Sequence, residues 1–342
     1  MPSPSISPNA TGNRKPKVAI LDDYARVALD LADWSPLQGT ADITVFDRHL
    51  SEAEAVEALQ PFDVVCTIRE RMAFPRTLIE RLPNLKMITI VGMSLTNLDM
   101  AAASEHGILV VHPNFANPKF AAGSNGTPEL AWGLMIATVR NIAEEHHRMR
   151  DGEWQGTIGP TLDGKTLGLL GLGKIGKRMN EYAKVFGMNV IAWSQNLTAE
   201  AAAAVGVRRV EKDALFTEAD VVSIHVQLSD RTRGLVTGAD LARMKPSAYF
   251  INTSRAAIVD EQALVAAIRE RRIAGAGLDV FNVEPLPADH PLRSLPNVTL
   301  TPHLGYVTRE FLGAIYSDAV EALTAWLDGN PVRIVNREAL QR

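Results

Sequence analysis

Residues Thr166–Met179 read TLGLLGLGKIGKRM, and the fold turns on this stretch. An apolar, strand-like segment runs into Gly171, Gly173 and Gly176 in GxGxxG spacing, then out into a helix-like segment. The spacing alone is a weak signal. The strand before it and the helix after it supply the context that a dinucleotide turn requires. Each glycine has its own physical use: Gly171 permits the tight turn, Gly173 lets backbone approach a pyrophosphate, and Gly176 lets helix pack on strand. The pyrophosphate would rest on N–H groups at the helix start, those of Lys174 and Ile175. The alternative is a structural turn whose glycines serve only to bend the chain.

Outward from this turn, strand-like and helix-like segments alternate. Upstream, KVAIL, DITVF, DVVCT, KMITI and ILVV are separated by the helix-like ARVALDLA, SEAEAVEALQ, PRTLIERL and LDMAAASEHG. Downstream come NVIAW, VRRV, ADVVSIHV, AYFINT, AGAGLDVF and NVTLTP, with helices through KRMNEYAKVFG, AEAAAAVG and EQALVAAIRERR. Continuous apolar strands alternating with helices predict parallel sheets covered on both faces. Between the two series lie a breaker at Asn114–Pro118, a single long helix from about Thr127 to Arg150, and a loop, DGEWQGTIGPTLDGKT. A last helix, from about Val307 to Leu327, is read as returning to the first half. The expected fold class is α/β, with two Rossmann-like or flavodoxin-like domains. Residues 119–305 form a dinucleotide-binding domain inserted in a split first domain, 17–118 and 306–342, behind a disordered lead-in, 1–16.

The bulk numbers agree with two globular domains. The chain has 342 residues, 46% hydrophobic and 22% charged, with a net charge of −4. The absence of a basic block argues against nucleic acid or anionic membrane as a partner. No apolar run approaches the roughly 18 residues of a membrane span, and MPSPSISPNATGNRKPK lacks the apolar core of a signal peptide. The lone Cys66 reads as a small buried hydrophobe and makes no disulfide or cysteine-based metal site. A cytoplasmic protein fits these features.

Three phrases follow the turn: INTSRAAIVDE, GLDVFNVEPLP and TPHLG. Each places one strongly polar residue just after an apolar strand: Arg255, Glu284 and His303. In a parallel sheet, the loops at the strands' carboxyl ends line the ligand crevice. Reducing a 2-keto acid needs a cation to hold the carboxylate, a proton donor that works near neutral pH, and an anion to orient that donor. Arginine, histidine and glutamate meet these needs without a metal. Taken singly, each has a plain alternative: a surface ion pair for Arg255, a solvated turn for Glu284, a loop cap for His303.

The phrases GLGKIG, ADVVSIHVQL, MKPSAYFINTSRAAIVDEQAL, GLDVFNVEPLP and LPNVTLTPHLG together resemble the D-isomer-specific 2-hydroxyacid dehydrogenase family over about residues 85–315. The resemblance implies an NAD(P)-dependent oxidoreductase acting on a D-2-hydroxy acid or the matching 2-keto acid, working as a homodimer, with the split domain, 17–118 and 306–342, as its substrate domain. It places the family's catalytic arginine, glutamate and histidine on Arg255, Glu284 and His303, and its nicotinamide-contacting aspartate on Asp279. It adds Val226, Thr253 and Gly305 to the cofactor contacts. The substrate-carboxylate loop falls on Val91, Gly92, Met93 and Ser94, and Arg69, beside Glu70, is a further candidate from the first domain. Formate or phosphite oxidation on the same fold, and a non-enzymatic NAD(H)-sensing corepressor, are the other readings the resemblance carries.

The sequence departs from the family's usual pattern at several positions. Ala256 stands where glycine is usual and asks for a negative φ, Gln227 replaces a proline, and VGMSLTN carries Ser94 and Thr96 in the substrate loop. The second strand after the turn ends in Ser194, Gln195 and Asn196, without the carboxylate that grips the adenosine ribose and repels a 2′-phosphate. NADPH is therefore expected to be accepted beside NADH. Arg208 and Arg209 lie beyond the next helix. His146 and His147 are adjacent on a helix and cannot share a face as metal ligands. His225 reads as structural, and Trp132, Trp154, Trp193 and Trp326 as packing or interface residues.

Overall fold

The computed structural model describes residues 14–69, 71–91, 97–118 and 125–341. The chain divides into two compact units, Met1–Ser124 with Thr308–Arg342, and Asn125–Val307. In the first, β1 (Lys17–Ile20), β2 (Asp42–Val45), β3 (Val64–Ile68), β4 (Met87–Val91) and β5 (Leu109–Val111) form an all-parallel sheet in the order β2-β1-β3-β4-β5. That is the flavodoxin-like order. Strand β3, VVCTI, is buried at every position, as a strand covered on both faces must be. Helix α1 (Glu52–Leu59) opens on a capping box between Ser51 and Glu54; α2 (Arg76–Ile79) and α3 (Met100–Glu105) follow.

The second unit opens with α4 (Gly126–Val139) and α5 (Ile142–Arg150). Then come β6 (Thr166–Leu170), α6 (Lys174–Val185), β7 (Asn189–Trp193), α7 (Ala199–Ala203), β8 (Arg208–Arg209), α8 (Lys212–Glu218), β9 (Val221–Ile224), α9 (Gly238–Ala242), β10 (Tyr249–Asn252), α10 (Glu261–Arg269), β11 (Gly275–Leu278) and β12 (Val298–Leu300). The strands pair in parallel in the order β12-β11-β10-β9-β6-β7-β8. From β6 the chain moves out to β8, then returns to lay β9 on the other side of β6. The strand order reverses there, and ligands of such sheets bind outside the carboxyl ends at that reversal. The loops after β6, β9, β10, β11 and β12 all leave from those ends. Helix α11 (Arg309–Leu327) belongs to the first unit.

Several elements differ from the sequence reading. ARVALDLA is not helical: Asp23 accepts from the N–H groups of Val27 and Ala28 at 3.1 and 2.8 Å, and Arg26 has φ +55, so turns replace the helix. The helix expected over 127–150 is broken at Asn141, whose φ of +52 ends α4 and starts α5 in a new direction. Helices α8 and α9 were not expected, although Thr237 and Asp240 form a capping box for α9. Of the lead-in 1–16, residues 1–13 lie outside the described residues. Arg14 is not loose: it pairs with both oxygens of buried Asp63 at 2.8 and 2.9 Å. Cys66 is buried and free, and burial pushes its thiol up to about 11. Among the described residues no helix is long and apolar enough to cross a membrane, and no group of three metal-binding side chains is gathered.

Candidate active site

The turn after β6 explains its own glycines. Gly171 has φ +107, a region L side chains avoid, and a Cβ there would lie 2.8 Å from the backbone of His225. A Cβ on Gly176 would lie 2.2 Å from the Gly171 carbonyl oxygen. At Gly173 an added Cβ would meet nothing within 4 Å. Helix α6 starts there with no capping side chain and no acidic residue in its first turn. The first N–H groups of a helix have no carbonyl partner within it, and the helix dipole favours an anion at that end. Open space, small residues and a positive helix end suit the pyrophosphate of a dinucleotide. The Ile175 side chain packs into the core, so only backbone from that residue can serve a ligand.

The loop after β10 carries Arg255. Asn252, buried at the strand end, shapes it: its Oδ1 accepts the Ser254 N–H at 2.9 Å, and its Nδ2 donates to the Arg255 carbonyl at 3.1 Å. Ser254 Oγ ties the loop to the Val226 carbonyl at 2.5 Å. Ala256 opens a 3-10 turn, Ala256–Ile258, and is not among the residues with positive φ, so alanine is accommodated where glycine is usual. Thr253 Oγ1 is buried and has no hydrogen-bond partner among the described residues, which leaves it available to a bound molecule.

His303 follows β12 and has φ +54, unusual for a residue with a side chain. Its surroundings hold it there. Its N–H donates to the carbonyls of Asp279 and Thr301 at 2.9 and 3.0 Å. The fully buried Asp279 carboxylate accepts from Thr301 Oγ1 at 2.6 Å, Leu304 N–H at 2.7 Å and Gly305 N–H at 3.0 Å. Burial raises the Asp279 carboxyl above its ordinary range, against the opposing pull of these donors and of His303. Asp279 thus fastens the loop that carries His303, and the Gly305 N–H is spent on it. Both Asn252 and Asp279 are polar residues at the ends of apolar strands, and that position is the signal for their positioning roles.

The His303 Nδ1 atom lies 2.6 Å from Glu284 Oε2, and Glu284 Oε1 accepts the Phe281 N–H at 2.8 Å. Burial alone would raise the Glu284 carboxyl. The hydrogen bond and charge of His303, the Phe281 N–H and the charge of Arg255 outweigh it and hold the carboxyl below its usual range. Arg255, Glu284 and His303 are therefore within electrostatic reach of one another, on three strand-end loops of one sheet. The Tyr306 ring stands edge-on to the imidazole, 5.6 Å between centroids. His225 is half-buried, bonded through Nε2 to Ser223 Oγ at 2.9 Å, and desolvation by its surroundings pushes it down to about 3, which favours the neutral ring.

The remaining candidates fall elsewhere. Arg69 belongs to the first unit, just after β3, with φ +52. Gly92, Met93 and Ser94 lie outside the described residues, as do Glu70 and Thr96. After β7, the Leu197 N–H closes a turn on the Ser194 carbonyl at 3.1 Å, which leaves Gln195 and Asn196 exposed at its tip. Arg209 reaches this turn, donating to the Leu197 carbonyl at 3.0 Å, and is paired with Glu211 at 2.7 Å; Arg208 pairs with Glu218. Trp132 is buried against Tyr182 and Phe186, Trp326 is buried, and Trp154 is 73% exposed.

A parallel sheet with a GxGxxG turn at its order reversal, and an arginine, glutamate and histidine on the loops beside it, defines a nucleotide-dependent oxidoreductase class. The D-isomer specific 2-hydroxyacid dehydrogenase NAD binding domain matches residues 132–305. The chain is 34% identical to a glyoxylate reductase of Aeropyrum pernix over 96% of its length and 98% of that protein. It is 36% identical to a D-3-phosphoglycerate dehydrogenase of Synechocystis, over 93% of this chain but 55% of that protein, so it spans about half the length of that relative. The crystal structure of a phosphoglycerate oxidoreductase from Vibrio cholerae superposes with a TM-score of 0.84 at 36% identity, over 92% of this chain and 99% of the other. The chain belongs to the D-isomer-specific 2-hydroxyacid dehydrogenase family, NAD-dependent oxidoreductases that act on a CH–OH group.

Proposed function

We propose that the chain interconverts a 2-keto acid and a D-2-hydroxy acid, using a nicotinamide dinucleotide seated on the Gly171–Gly176 turn. The observation that carries this reading is the 2.6 Å pair between His303 Nδ1 and Glu284 Oε2 beside Arg255. A dinucleotide held on the Gly171–Gly176 turn would supply, through its reduced nicotinamide, the hydride that the carbonyl carbon takes up. Arg255 holds the substrate carboxylate through its planar fork and draws electron density from the carbonyl. With Nδ1 engaged by Glu284, Nε2 of His303 is the atom left to give a proton to the carbonyl oxygen, and to recover it in the oxidative direction. Glu284 fixes the ring through Nδ1 and sets an anion beside the imidazolium that gives the proton. Asp279 and Asn252 act through the loops they hold.

Cofactor contacts are assigned to Gly171, Gly173, Lys174, Ile175 and Gly176 at the pyrophosphate and to Ser194 and Gln195 at the ribose. Toward the nicotinamide they fall to Val226, Thr253, Asp279 and Gly305. Arg69 and the segment Gly92–Ser94 are assigned to the substrate carboxylate. Without a carboxylate at position 194, NADPH is accepted alongside NADH. The partner is a second copy of this chain in the cytoplasm. The exposed apolar side chains Ile142, Met149, Trp154 and Ile158, the last 99% exposed, support a face that a second copy covers.

The test is a spectrophotometric panel of 2-keto acids, from glyoxylate and hydroxypyruvate to its 3-phosphate and bulkier acids, with NADH and NADPH run separately. Oxidation of either cofactor by at least one member is expected. Cofactor binding with no turnover across the panel would contradict the reading, and would direct attention to formate, phosphite or a sensing role.

A further inference from the structure

We propose that Arg231 completes the adenosine end of the site and binds a ribose 2′-phosphate, so that it sets the choice of NADPH over NADH. This rests on the assignment of the dinucleotide to the Gly171–Gly176 turn, and adds to it a cation from a different loop. The residues directly after β7 offer no positive charge. The structure brings one there from the loop after β9. Arg231 Nη2 lies 3.3 Å from Asn196 Oδ1, and Gln195 Nε2 donates to the Arg231 carbonyl at 3.4 Å. The two loops meet at the tip of the turn that begins at Ser194, where the ribose is assigned.

The loop that carries Arg231 is held by its own hydrogen bonds. Thr232 Oγ1 accepts the Ser229 N–H at 2.8 Å and donates to the Gln227 carbonyl at 2.6 Å. The Arg233 N–H closes the turn on the Ser229 carbonyl at 2.9 Å. Gln227, which replaces the family's usual proline, thus anchors this turn through its carbonyl. The loop carries Arg231 and Arg233 against Asp230, a net positive charge. Arg209 also borders the turn, but Glu211 neutralises it at 2.7 Å. The Arg231 guanidinium contacts a neutral amide oxygen, that of Asn196, which a phosphate dianion outcompetes. Arginine's planar fork matches two phosphate oxygens at once.

The experiment titrates NADH and NADPH into full-length protein by nucleotide fluorescence, for the wild type, Arg231→Gln and Arg231→Glu. The readout is the ratio Kd(NADH)/Kd(NADPH). A charge-assisted pair supports a fall of about tenfold in that ratio for Arg231→Gln and a further fall for Arg231→Glu. Loss of fold would not produce that order, and Arg231 is exposed, so both variants are expected to melt with the wild type. Ratios within twofold of wild type in both variants overturn the proposal and leave the dinucleotide assignment standing. A wild type that binds NADH and excludes NADPH does the same. A wild type that binds neither removes both.

Discussion

Glu284→Gln replaces the anion at 2.6 Å from His303 with an amide of nearly the same shape. If the amide oxygen keeps the Phe281 N–H, the amide nitrogen faces Nδ1 and favours a neutral ring protonated at Nε2. In keto-acid reduction the charged imidazole is the acid, so a weaker hold on it shows as a lower kcat/KM. A hydrogen bond to a charged group contributes about 1.5–3 kcal/mol and a neutral one about 0.5–1.5. The difference is about 1–1.5 kcal/mol, and about 1.36 kcal/mol corresponds to a tenfold change in rate. The Glu284 and His303 side chains are 32% and 22% exposed, so water screens the pair and the lower half of that range applies. Steady-state kcat/KM for reduction should therefore fall by about five- to eightfold. A kcat/KM within twofold of the wild type refutes the role assigned to Glu284. The Glu284 carboxyl is lowered in the fold, so its contribution is fully present above the unfolded carboxylate value of about 4.3 and is lost as pH falls through the folded one. Glu284→Gln should therefore flatten the acid limb of a stability–pH curve.

Arg255→Ala should raise KM for the keto acid by at least about tenfold, from loss of a charge-assisted pair, with a smaller effect on cofactor affinity measured by fluorescence. Ser194→Asp should shift the kcat/KM ratio toward NADH by restoring 2′-hydroxyl bonding and repulsion of a 2′-phosphate; an unchanged ratio would separate this stretch from cofactor choice. Gly171→Ala combines a positive φ with a Cβ 2.8 Å from the His225 backbone. It should cost about 2–4 kcal/mol in denaturant unfolding, from left-handed strain and overpacking together.

Much of the site was legible because its physics is local. The GxGxxG turn, its strand and its helix are contiguous, and each glycine answers a steric demand within a few residues. Arg255, Glu284 and His303 stand out as candidates because each follows an apolar strand, and parallel strands deliver such residues to one edge. Misreadings came where local polar groups overrode periodicity. Asp23 captures two N–H groups that ARVALDLA needs for a helix, and Asn141 takes a left-handed backbone inside a helical pattern. Helix α8 is a short run with no side-chain cap. Asp279 illustrates a different limit. Its position after AGAGL marks it as important, but three bonds to a loop more than twenty residues later are a tertiary fact. Arg231 was hidden for the same reason: a loop 35 residues beyond Asn196 in sequence folds against it.

The most direct test is the turnover number of His303→Ala on the best keto acid of the panel, at saturating cofactor. Removing the proton donor should lower kcat by at least about 100-fold, while the protein still binds cofactor and melts normally. Turnover within a few-fold of wild type would contradict the assignment of His303, and with it the chemistry proposed for the site.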